Sequence, residues 1–92
     1  MGDFPDGVLA YKKTPVFTEE TVPAGLLKLH RTKAGVWAKI VVLKGRLEYS
    51  LSDGSEEAVV LTPEVYGVIE PAVYHRVRPL GCVEFYVEFM KK

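Results

Sequence analysis

Val36-Trp37-Ala38-Lys39-Ile40-Val41-Val42-Leu43 is the run on which the fold turns. Gly35 and Gly45 bound it, and its β-branched residues suit a pleated strand better than a helix. One face carries Val36, Ala38, Ile40 and Val42; the other carries Trp37, Lys39, Val41 and Leu43. With Lys39 as its only charge, the strand is expected to be largely buried on both sides.

The same pattern continues on the C-terminal side. Arg46 to Leu51 alternates, with Leu47, Tyr49 and Leu51 opposed to Arg46, Glu48 and Ser50. Ser52-Asp53-Gly54-Ser55 then supplies an Asp-Gly hairpin signal, and Glu57 to Leu61 reads as the returning strand. Thr62-Pro63-Glu64 turns the chain into a strand over Tyr66 to Ile69, which Glu70-Pro71-Ala72 breaks. Tyr74 to Arg78 resumes, Pro79-Leu80-Gly81 marks another turn, and Val83 to Phe89 closes the series.

On the N-terminal side, residues 1–10 read as a loosely tied arm. Tyr11 to Thr18 can form a strand interrupted by Pro15, which suits a sheet edge. Residues 21–25 form a turn, and Leu26 to Thr32 is read as a strand with Leu26, Lys28, His30 and Thr32 on one face. A helix over Thr18–Leu29 competes with this reading, but Pro23 and Gly25 limit it to a single turn. About eight short strands at regular spacing imply an all-β sandwich or barrel.

Bulk properties narrow the class further. A chain of 92 residues makes one domain, 1–92. The formal net charge is zero, and the basic residues are scattered, so neither nucleic acid nor an anionic membrane is an expected partner. No apolar run is long enough to span a bilayer, and no basic start followed by an apolar stretch marks a secretory signal. The single cysteine, Cys82, excludes an internal disulfide and a multi-cysteine zinc framework, and a cytoplasmic location is expected. Nothing beside Cys82 in sequence would lower its pKa, so it reads as an inert thiol.

Candidate chemistry rests on two histidines. His30 ends a strand before a Gly-containing turn, and His75 begins one after a Pro-containing turn. Strand ends at a barrel mouth are common places for ligand and metal sites, and neutral imidazole is a frequent metal ligand. Two imidazoles need a third donor: Glu70 is the nearest carboxylate candidate, and Thr32 could add a hydroxyl or hold a water. The plain alternative is that each histidine is a surface or hydrogen-bonded core residue, Glu70 a turn carboxylate, and Arg76 and Arg78 part of a solvated strand face.

Two segments together resemble a known family. The first is Leu26-Leu27-Lys28-Leu29-His30-Arg31-Thr32-Lys33-Ala34-Gly35-Val36-Trp37; the second is Val68-Ile69-Glu70-Pro71-Ala72-Val73-Tyr74-His75-Arg76-Val77. They resemble the small cupin-like domain family named for tellurite resistance, over approximately residues 8 to 90. This resemblance implies a cupin-like double-stranded β-helix, a jelly-roll barrel. In the broader cupin pattern His30 matches the first histidine, Gly45 the closing glycine of the first motif, and His75 the histidine of the second. Thr32 and Ala38 stand where the pattern has a second histidine and a glutamate, so two of four usual ligands are kept.

The resemblance therefore implies a metal site of His30 and His75, with Glu70 as the replacement carboxylate. Zinc comes first for such a divalent ion, and nickel or iron would also suit it. The implied function is that of a metal-binding protein acting on or binding a small molecule or oxyanion in tellurite-type stress resistance. In an enzymatic version Arg76 or Tyr86 would meet the substrate. The alternative is a non-catalytic ligand-sensing or structural dimerisation module without metal. A homodimer is expected on symmetry grounds, and no glycine-rich phosphate or dinucleotide loop is present.

Overall fold

The structure is a computed structural model describing residues 4–28, 31–51 and 58–92. Its elements in chain order are β1 (Leu9–Lys13), β2 (Phe17–Thr18), the single-turn helix α1 (Ala24–Leu27), β3 (Trp37–Leu51), β4 (Ala58–Leu61), β5 (Gly67–Ile69) and β6 (His75–Lys91). All six strands belong to one antiparallel sheet.

Two long strands form its spine. β3 and β6 pair from Trp37↔Met90 to Leu51↔His75. The other edge of β3 takes β5 beside Ala38–Ile40 and β4 beside Leu47–Ser50. The other edge of β6 takes β2 beside Glu84–Phe85 and β1 beside Glu88–Lys91. The ribbon thus carries one set of neighbours along its first half and another along its second.

What separates the halves is a pair of register shifts. Between Val42 and Lys44, β3 carries an extra residue, Leu43; between Gly45 and Leu47 the surplus lies on β6, as Leu80-Gly81-Cys82. Bulges of this kind bend a strand and increase its twist. Gly45 (φ 83°) and Gly81 (φ 87°) occupy the left-handed region. At Gly45 an added Cβ would run into the backbone carbonyl of Cys82, so only glycine fits. The inward positions of β3 change parity across the bend: Ala38, Ile40 and Val42 before it, Leu47 and Tyr49 after it. Val77, Val83, Phe85 and Val87 of β6 meet them in the core, with Leu61 and Ile69.

Several expectations need correction. Val36–Leu43 is buried on one face only; Leu43, on the other, is 48% exposed. The expected strands over 36–43 and 46–51 are one strand, as are those over 74–78 and 83–89. Pro79-Leu80-Gly81 is therefore a bulge within β6, with Pro79 opposite Leu47. The expected strand over Leu26–Thr32 is absent among the described residues of that stretch, because Leu26 and Leu27 complete α1 after Pro23. The Asp53-Gly54 turn lies outside the described residues, although its flanks pair antiparallel from Leu47↔Leu61 to Ser50↔Ala58. Pro15 does interrupt the first strand, between β1 and β2. Within the expected N-terminal arm, Leu9 and Ala10 join β1, and Phe4 lies edge-on to Trp37 (5.9 Å) and stacked on Tyr66 (6.3 Å).

Candidate functional site

His75 opens β6 and is the one buried polar or charged side chain among the described residues, at 2% exposure. The turn before it sets its ring. Pro71 cannot donate to a ladder, and Ala72 adopts φ 61°, a left-handed conformation that stops β5 from running on into β6. The chain then doubles back so that the His75 Nδ1–H donates to the carbonyl of Val73 at 2.9 Å. A carbonyl can only accept, so Nδ1 carries a proton in this contact and the ring's orientation is fixed by it. The ring of Tyr49 lies 6.0 Å away, its hydroxyl donating to the Val68 carbonyl at 3.3 Å.

Thr32 has a structural duty that its sequence position does not reveal. Its Oγ1 accepts the Ala72 N–H at 3.3 Å and donates a long 3.5 Å bond to the Glu70 carbonyl. Thr32 therefore fastens the turn that leads into His75.

These residues border a cavity of about 430 Å³ on the inner side of the sheet. Ile40, Ile69, Val77 and Val87 line its interior, and Phe17 and Phe85 meet edge to face at 5.7 Å beside it. Pro23, Gly25 and Leu26, from the segment around α1, wall one side. Among the described residues the cavity's polar lining consists of Thr14, Arg31, Thr32 and His75. Thr14 Oγ1 is engaged by the Val87 N–H at 3.0 Å. Arg31 is exposed, with its guanidinium 5.5 Å from the centre of the Tyr74 ring, and so stands at the rim.

The candidate metal ligands fare unequally. His75 is buried and lines the cavity. His30 lies outside the described residues. Glu70 is exposed and is not among the cavity-lining residues. No group of three or more His, Cys, Asp or Glu side chains suited to a metal occurs among the described residues. Arg76, Arg78 and Tyr86 do not line the cavity: Arg78 pairs with Glu48 at 3.2 Å, and Lys13 covers the Tyr86 ring at 4.9 Å. Thr14, Phe17 and Arg31 were not evident as site residues in the sequence, because only the pairing of β1 and β2 with β6 brings the first two there.

A shallower depression holds Cys82, Glu19 and Lys44 at the bend. The Val83 N–H donates to Glu19 at 3.0 Å, and this bond holds the Glu19 carboxyl below the usual carboxylate range, helped by its own backbone N–H and by the Cys82 thiol against a small desolvation penalty. Cys82 is exposed.

Fold and cavity together define a small antiparallel β-domain with an apolar, ligand-sized recess. The model of the TehB-like domain matches residues 12–87, and the chain belongs to that family. It is 36% identical over 78 residues to the probable S-adenosyl-L-methionine-dependent methyltransferase TehB of Haemophilus influenzae strain Rd, covering 80% of this chain and 27% of that protein. The protein of the same name from a second Haemophilus influenzae strain is 35% identical, with the same coverage. The chain thus spans about a quarter of the length of these curated relatives. The crystal structure of Haemophilus influenzae TehB superposes with a TM-score of 0.86 at 32% identity, covering 95% of this chain and 32% of that one. A crystal structure of an Escherichia coli K12 protein of similar length gives 0.86 at 21% identity, covering 98% and 96%, and shares the fold.

Proposed function

We propose that this domain is a small-molecule binding module, with the ligand held in the cavity beside His75. The observation that carries the proposal is the recess itself: a volume in the range of known ligand sites, lined by apolar side chains, with the oriented imidazole of His75 on its wall. In this proposal the sheet closes as a cupin-like jelly roll and the domain works in the cytoplasm as a homodimer, contributing to tellurite-type stress resistance. Methyl transfer is not proposed for these 92 residues, which match about a quarter of the methyltransferase relatives and lack a glycine-rich cofactor loop.

A second reading adds a metal. An imidazole whose Nδ1–H is held by a backbone carbonyl has the tautomer and orientation that metal-ligating histidines commonly have, and this favours Nε2 of His75 as a donor. His30 would be the second ligand and Glu70 the third, with zinc, nickel or iron as the ion. One imidazole alone is too few donors, so this reading stands or falls with His30. A small multiply charged oxyanion fits this reading better than the first, since beyond Arg31 at the rim the apolar wall offers it nothing.

Nuclear magnetic resonance titration of the untagged protein with a library of small organic compounds tests the first reading. Binders should move resonances of Ile69, Val77 and Phe85 together. Hits that shift only surface residues would count against the cavity. Titration with zinc and nickel tests the second: binding should be lost in both His30→Ala and His75→Ala, and retention in either variant rules out the shared site.

A further inference from the structure

The cavity's charge pattern is more specific than its volume. No carboxylate lines it among the described residues, and the one fixed charge on its wall is Arg31 at the rim. The guanidinium rests 5.5 Å from the Tyr74 ring centre, a contact that favours its position at the mouth without neutralising it. Thr14 and Thr32 spend their hydroxyls on the backbone at Val87, Glu70 and Ala72. Apart from Arg31, these two threonines and His75, the described lining residues are apolar.

We propose that the ligand is an organic acid with a compact apolar body, its hydrocarbon part inside the recess and its anionic group at Arg31. The proposal rests on the small-molecule reading above and names the ligand class for that site. Burying the charge itself would be costly, whereas an anion held at the rim keeps part of its hydration. The apolar body gains from removal of its surface from water. At about 30 Å³ per group, the liquid volume share of one water, the space admits a body of roughly a dozen non-hydrogen atoms. A guanidinium can engage a carboxylate through two parallel N–H donors, which a lysine could not match.

The test compares 3-phenylpropionate, its neutral amide and inorganic phosphate on the intact protein, followed by chemical shifts at the cavity and by calorimetry. Arg31→Gln is the variant, chosen because the side chain is exposed and carries no part of the core. The acid should bind about fivefold tighter than the amide, the upper range for an exposed ion pair. Arg31→Gln should bring the two affinities together while leaving the amide unchanged. Phosphate should not displace the acid. Equal binding of acid and amide by the unaltered protein, a preference that survives Arg31→Gln, or displacement by phosphate would each overturn the anionic apolar ligand while the cavity reading stands. If neither organic compound moves the cavity resonances, both proposals fail.

Discussion

Thr32 shows how much a single residue can hold. It is far in sequence from the Glu70–Ala72 turn, yet it receives the Ala72 N–H and reaches the Glu70 carbonyl. Thr32→Val keeps the shape and removes the hydroxyl. The expected loss is about 1 kcal/mol, the usual net contribution of one such bond. Denaturant unfolding measures that loss, and faster hydrogen exchange at the Ala72 amide should accompany it. Glu19 gives a second prediction at this scale. Its carboxyl is held below the usual range by the Val83 N–H, so the folded state binds this proton less readily than the unfolded chain does. The resulting stability is present above the unfolded value of about 4.3 and is lost as pH falls through the lower folded value. Glu19→Gln should be less stable than the parent at neutral pH, and the difference should shrink in acid. A difference independent of pH would show that charge is not the cause.

At the scale of elements, the bend in the β3–β6 ribbon is the part least able to tolerate change. Gly45→Ala meets two obstacles, a left-handed backbone and the Cys82 carbonyl where the methyl would go. The backbone conformation alone costs about 1–3 kcal/mol, and the backbone contact adds to that. Thermal unfolding of Gly45→Ala should show a loss at least this large, whereas Gly35→Ala has open space around its Cβ and bears only the backbone cost. The bend also explains what the chain disclosed in advance. Alternation and apolar runs located strand residues within β3, β4, β5 and β6, because such patterning is local, but it split β3 and β6 in two at the bend. Pro79-Leu80-Gly81 carries the same residues as a turn, and only the partner strand distinguishes a turn from a bulge. Leu26 to Thr32 alternates like a strand, but Pro23 starts a helical turn whose Leu26 packs against the core. His75 was legible from its place after a Pro-containing turn. The cavity was not, since Thr14 and Phe17 reach it through pairing with strand residues some seventy positions away.

The molecule as a whole is organised by contacts distant in sequence. β3 must find β6 across β4 and β5, and β1 and β2 can add only afterwards, at the far edge of β6. Loop closure has to be met before such pairings stabilise anything, so folding should take milliseconds to seconds, as in other domains of non-local β pairing. Stopped-flow refolding checks this; microsecond folding would contradict the topology. No helix among the described residues is long and apolar enough to cross a membrane.

Phe4, Trp37 and Tyr66 bring an optical consequence. Trp37 is the chain's only indole, and its nearest ring contact comes from the N-terminal segment at 5.9 Å. Because Trp37 is not part of the cavity wall, its emission should be largely blind to a bound ligand and should respond to departure of Phe4. Fluorescence of the unlabelled protein can thus time the docking of Phe4 onto the sheet separately from events in the recess.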